Sequence, residues 1–167
     1  YTPEVLNRNF GLLDIDPARL NGLILSHGHR DHYGGLDGFV SQHRTAMRKS
    51  VSLFVGAQEA FDIRWVKGRP LGKPDAEPVF QCWGAPDRTA LLAQNVVPVC
   101  CETPQALKGA FTTGYIARDT FEQVTGGSMV ESFDHFSDAE RRGDLKPDSH
   151  PEEHATCYVV KGRGLVV

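Results

Sequence analysis

The sequence predicts a mixed α/β domain (α/β or α+β) from three observations. Short apolar runs that read as strands alternate with stretches of helical period. A length of 167 residues is enough for one domain with its own core, and 40% apolar with 23% charged residues is an ordinary globular composition. There is also no internal repeat or low-complexity tract to suggest a solenoid or a disordered chain.

The elements follow in order. Thr2-Pro3-Glu4 is a helix start, with a cap residue, proline in the first turn and then an acid; Val5, Leu6, Leu12 and Leu13 supply the apolar face. Asp16-Pro17-Ala18-Arg19-Leu20 restarts a short helical turn, and Gly22 to Leu25 reads as a short buried strand. From Leu36 the pattern is helical, with Leu36, Phe39, Val40 and His43 at spacings of three and four. Val51 to Val55 is a strand and Ala57 to Phe61 is short and helix-like. Residues 62–88 are rich in glycine, proline and charge around Trp65, Phe80 and Trp83; they are expected to be irregular, with at most a short strand at Val79 to Cys82. Arg88 to Asn95 is a helix, and Val96 to Cys101 a strand that Pro98 assigns to an edge or a bulge. Phe111 to Ala117 is a further strand. Residues 134–155, polar and proline-containing, are expected to form a long surface excursion. Cys157 to Val160 and Leu165 to Val167 flank Lys161-Gly162-Arg163-Gly164 as a hairpin.

Several function classes recede on composition. A net charge of −3, without a basic tract, leaves no electrostatic footprint for nucleic acid. No apolar run approaches the roughly 20 residues of a membrane span, and no signal peptide is visible. Cys82, Cys100, Cys101 and Cys157 show no Cys-x-x-Cys spacing; they read as small hydrophobes of a reducing, cytoplasmic compartment, with at least one of the adjacent pair facing the core. The chain starts at Tyr1 without methionine and stops on an apolar run, Gly164-Leu165-Val166-Val167. The expectation is therefore a piece of a longer protein.

Residues 26–35, Ser-His-Gly-His-Arg-Asp-His-Tyr-Gly-Gly, carry the chemistry. His27, His29, Asp31 and His32 offer three imidazoles and a carboxylate within six positions, and these ligand types suit zinc, iron or manganese. On a helix, His27 would share a face with Asp31, and His29 with His32, but Gly28 and the Gly34-Gly35 pair argue for a loop at a strand end. On such a loop His27 and His29 can grip one metal while Asp31 and His32, past the bend, grip a second about 3.5–4 Å away. Two divalent ions so placed would supply a metal-bound hydroxide at neutral pH, with Asp31 holding it and carrying a proton to the leaving group. A lone histidine such as His43 reads instead as a structural residue.

The stretch Leu-Ser-His-Gly-His-Arg-Asp-His-Tyr-Gly-Gly-Leu resembles the His-x-His-x-Asp-His signature of the metallo-β-lactamase fold superfamily. The resemblance implies a four-layer αββα sandwich with a metal site along one sheet edge, and hydrolytic chemistry. Two further stretches are similar to the dihydropterin ribofuranosyl-aminobenzene phosphate synthase-like branch: Thr113-Gly114-Tyr115-Ile116-Ala117-Arg118-Asp119-Thr120-Phe121-Glu122, and Glu153-His154-Ala155 through to Val167, which resembles the strand leading into a Gly-Cys-x-His turn. By that likeness the first strands would lie before Tyr1 and the later ligands after Val167. The domain would be incomplete at both ends, and His27, His29, Asp31 and His32 would form half of a two-metal site that binds metal weakly by itself.

The favoured function is a metal-dependent hydrolase acting on a small-molecule ester, phosphoester or pterin-like substrate, with two divalent metals, zinc foremost. The alternatives are a non-catalytic metal- or ligand-binding domain of the same fold, and a nuclease, against which the acidic charge counts. The expected partner is a small molecule, with no nucleic acid and no membrane; the oligomeric state is open. Arg118 reads either as a group for a substrate phosphate or carboxylate, or as a surface ion pair with Asp119 or Glu122. Tyr33 either lines the pocket or caps the following helix. His150 and His154, set among Asp148, Glu152 and Glu153, read as solvated surface residues.

Overall fold

The computed structural model describes residues 2–121, 127–131 and 145–167. Helix α1 (Pro3–Leu12) and strand β1 (Leu23–Ile24) lead into the histidine-rich segment, followed by the short helix α2 (Arg30–Tyr33) and by α3 (Leu36–His43). Strand β2 (Val51–Val55) runs parallel to β1 on one side and to β5 (Val96–Cys100) on the other, with α4 (Arg88–Ala93) entering β5. In this three-stranded sheet β2 is central, and Pro98 sits in the edge strand, where its missing N–H costs no ladder bond.

The alternation in β2 sets the core. Val51, Leu53 and Val55 are buried while Ser52 and Phe54 are not. Against the buried face pack Phe39 and Val40 of α3, Leu91 of α4 and Val96 of β5, with Leu6 and Phe10 of α1 closing the layer. Cys101 is buried, Cys100 is exposed, and all four cysteines are free thiols.

The mixed α/β class holds, with two antiparallel sheets beside the parallel one. Residues 62–88 depart from the expectation of irregular chain. Strand β3 (Ile63–Gly68) and strand β4 (Val79–Gly84) form an antiparallel hairpin with Trp65 opposite Cys82 and Gly68 opposite Val79. The prolines, glycine and charges that suggested irregular chain are concentrated in the 69–78 connection. The flanking residues, with Trp65, Val66, Val79, Phe80 and Trp83, have strand propensity and pair. The hairpin's register shifts between Arg64 and Trp65, with Trp83 of β4 left as the extra residue.

On its other side β3 pairs with β8 (Ser128–Glu131), and β8 with β9 (Lys146–Pro147). The third sheet contains β6 (Gln105–Leu107), β7 (Ala110–Thr112), β10 (Thr156–Val160) and β11 (Gly164–Val166), the last two being the expected C-terminal hairpin. The strand expected over 111–117 stops at Thr112. Gly114 takes φ +71, and a Cβ there would lie 2.6 Å from the Thr103 backbone, so the chain turns away.

The second correction concerns 134–155. Residues 132–144 lie outside the described residues, but 145–155 do not form a surface excursion. After β9 the chain dives inward, with Asp148, Glu152 and His154 each no more than 3% exposed. These polar residues are buried because each has a polar partner waiting on an earlier element. No helix among the described residues is long and apolar enough to cross a membrane.

Candidate functional site

Strand β1 ends at the carboxyl edge of the parallel sheet, the edge at which open α/β sheets place their ligands. Leu25 still bonds β2, through its N–H to the Phe54 carbonyl at 2.9 Å. Ser26 to His29 then form a loop with bends at Ser26 and Gly28. His29 takes φ −78 and ψ 146 as the residue before α2, so Asp31 and His32 ride on the first helical turn. The four expected ligands thus divide as the glycines suggested, two on a loop and two past a bend.

The rings converge. His27 lies 3.9 Å from His32 and 4.8 Å from His29, centroid to centroid. His150 joins them, 4.8 Å from His29 and 6.1 Å from His27. Burial, helped by the neighbouring His32 and His29, lowers the His27 pKa to about 4, and burial with His150 beside it lowers that of His29. Both imidazoles are therefore neutral at pH 7, with lone pairs free to bind a cation. Ser26 Oγ is 3.2 Å from His27 Nδ1 and 3.1 Å from His32 Nδ1. Asp31 stands 3.8 Å from His32 Nε2 at the exposed side of the group.

Beneath the histidines lies a buried ion network that the sequence did not reveal. Arg64, on β3 and fully buried, donates from Nε to Asp148 Oδ2 at 2.8 Å, from NH2 to Glu152 Oε1 at 2.5 Å and from NH1 to the Asp62 carbonyl at 3.1 Å. Glu152 Oε1 also accepts from the Gly28 N–H at 3.2 Å. Burial pushes the Glu152 carboxyl up, against the pull of Arg64.

His150 and His154 are not the solvated surface residues that their polar surroundings suggested. The His150 side chain is 11% exposed, with Nδ1 3.6 Å from Asp148 Oδ2. His154 is buried, its Nε2 meeting the Leu25 carbonyl at 2.9 Å, while its backbone N–H donates to Ser26 O at 3.3 Å. A sequence signal did exist. Asp148, His150, Glu152 and His154 put ligand-type residues at every second position just before a strand, echoing the first cluster.

Of the other residues singled out, Tyr33 is 8% exposed and its hydroxyl donates to the Trp83 carbonyl at 2.7 Å, tying α2 to β4 rather than facing open space. Arg118 donates to Glu153 Oε2 at 2.6 Å, with both side chains well exposed. This is a surface ion pair, but its partner is Glu153; of the two expected partners, Glu122 lies outside the described residues. Glu153 is close enough to His27 to oppose the fall in its pKa. His43 is structural, its Nε2 3.0 Å from Asn7 Oδ1 and its ring 4.9 Å from Phe39.

Among the described residues, His29 Nε2 and His150 Nδ1 are buried without a hydrogen-bond partner. Orphaned imidazole nitrogens beside a carboxylate form a donor set that fits a divalent transition metal.

Residues 3–79 match the family model of the metallo-beta-lactamase superfamily. The fold is similar to that of the crystal structure of Tm1679, described as a metal-dependent hydrolase of the beta-lactamase superfamily, with a TM-score of 0.62 and 22% identity. The match covers 96% of this chain and 49% of that one, so the chain spans about half the length of that structure. No curated protein sequence matches significantly. The chain resembles the metallo-β-lactamase superfamily in motif, in family match and in fold.

Proposed function

We propose that this chain, with its likeness to the metallo-β-lactamase superfamily, is the metal-binding part of a metal-dependent hydrolase. The observation that carries the reading is the convergence of His27, His29 and His32 at the end of β1, with His29 Nε2 buried and unpartnered. His27 and His29 would hold one divalent ion, and Asp31 and His32 a second. Zinc suits the imidazole-rich set best, and iron and manganese fit the same chemistry. When bound, such ions acidify water and polarise a carbonyl or phosphoryl oxygen.

The chain's own residues prepare that chemistry. Burial keeps His27 and His29 neutral. Ser26 Oγ lies within hydrogen-bond distance of Nδ1 of both His27 and His32; with its two lone pairs accepting from both Nδ1–H groups, both Nε2 atoms would be free to ligate. Asp31, exposed beside His32, is placed to take a proton and return it to a leaving group. Trp83, its ring 6.2 Å from that of His29, offers a flat aromatic surface for a planar substrate ring. A small-molecule ester, phosphoester or pterin-like substrate is the class we assign, within the four-layer αββα architecture of the superfamily. The net charge of −3 disfavours nucleic acid.

The test is a panel of small esters and phosphoesters assayed with the protein, metal-loaded and metal-stripped. Metal-dependent turnover that falls at least about a hundredfold in His29→Ala supports the reading. Turnover indifferent to both chelation and His29→Ala overturns it.

A further inference from the structure

We propose that Asp148 and His150 complete a divalent-metal site with His29, so that the ion at His29 takes its further ligands from the segment after β9. The inference rests on the reading above that the histidine cluster binds metal, and it changes where the donors come from.

Three observations converge. The ligand atoms of His29, Asp148 and His150 all lie within 4.8 Å of one another. His29 Nε2 is 3.8 Å and His150 Nδ1 3.6 Å from Asp148 Oδ2. These separations are too long for hydrogen bonds. They are close to the roughly 3.3 Å that separates two ligands on one tetrahedral zinc with bonds of about 2.05 Å. Neither imidazole nitrogen has a hydrogen-bond partner. An unmet nitrogen beside a carboxylate normally moves the few tenths of an ångström needed to bond it, and here two of them stop short on the same oxygen.

Charge points the same way. Asp148 and Glu152 bring two buried carboxylates against the single guanidinium of Arg64. An excess buried negative charge is costly, and a divalent cation on the open side of Asp148 offsets it. Arg64 does not block that side, since Nε uses one lone pair of Oδ2 and a carboxylate oxygen has two. The backbone is also committed. His150 takes φ +50, a left-handed conformation costly for a non-glycine residue, and its N–H is held by Asp148 Oδ1 at 3.0 Å.

The experiment is titration of the metal-free chain with Co²⁺ and Zn²⁺, following the Co²⁺ absorption spectrum and Zn²⁺ affinity by competition. The variants are His150→Ala, His150→Gln, Asp148→Asn and the double variant Asp31→Asn/His32→Ala. The first metal equivalent is expected to weaken in His150→Ala and Asp148→Asn by more than the roughly 10–100-fold typical of losing a residue that merely supports a ligand. The Co²⁺ spectrum changes with them, while the double variant keeps the first equivalent. His150→Gln leaves the Arg64 pairs untouched, so its loss of affinity in a chain with unchanged circular dichroism separates ligation from folding. Wild-type affinity and spectrum in both His150 variants would overturn the inference and leave the hydrolase reading standing. Failure of the wild-type chain to bind either ion would overturn both.

Discussion

Glu152 accepts a hydrogen bond from the Gly28 backbone N–H at 3.2 Å, joining residues 124 apart in sequence. The loop that carries His27 and His29 is thereby fastened to the Arg64 network instead of hanging from the end of β1. Gly28 has no room for a side chain there, because a Cβ would lie 2.6 Å from the Ala60 carbonyl oxygen and press on the Arg64 guanidinium. Gly28→Ala is expected to cost about 1–3 kcal/mol, as overpacking does, and to weaken metal binding with it. Urea unfolding of the metal-free chain and a zinc titration measure the two effects.

Arg64 pairs with two buried carboxylates, so its removal leaves both without a partner cation. Arg64→Met is expected to destabilise by about 3–5 kcal/mol at pH 7. The readout is the urea midpoint. By contrast, Arg118→Ala breaks an exposed pair and should change stability by no more than about 1 kcal/mol.

Ser26 touches Nδ1 of two histidines and no core residue depends on its hydroxyl. Ser26→Ala should leave the unfolding midpoint nearly unchanged and lower metal affinity roughly 10–100-fold. Competition with a chromophoric chelator provides the number.

Burial lowers the pKa of His154 below its ordinary 6.5, although its contact with the Leu25 carbonyl pulls the other way. That of His27 falls to about 4. As pH drops below 6.5 the unfolded chain takes up protons that the folded chain refuses, so stability falls with falling pH. The contribution is fully present above pH 6.5 and is lost progressively towards pH 4. Urea midpoints of the metal-free chain at pH 7.5, 6.0 and 5.0 should decline in that order. His154→Gln, which keeps an N–H for Leu25, should flatten the decline.

How much of this the sequence discloses depends on the distance between partners. The first cluster is legible because its four ligand residues are neighbours and β1 and Gly34-Gly35 frame them. The central strand β2 is legible because its alternation is local. Arg64 is not legible, because its partners lie 84 and 88 residues away. Asp148, Glu152 and His154 read as surface for the same reason. A polar, proline-containing segment looks solvated until Arg64, Gly28 and Leu25 are known to wait for it. The β3–β4 hairpin was hidden by the composition of its own connection.

The central claim is that the imidazoles after β1 hold a divalent metal. Equilibrium dialysis of the chain against saturating zinc, beside His29→Ala, tests it most directly. At least one zinc per wild-type chain, lost in the variant, is the expected result. Less than one per wild-type chain, or equal zinc in both proteins, would contradict the account.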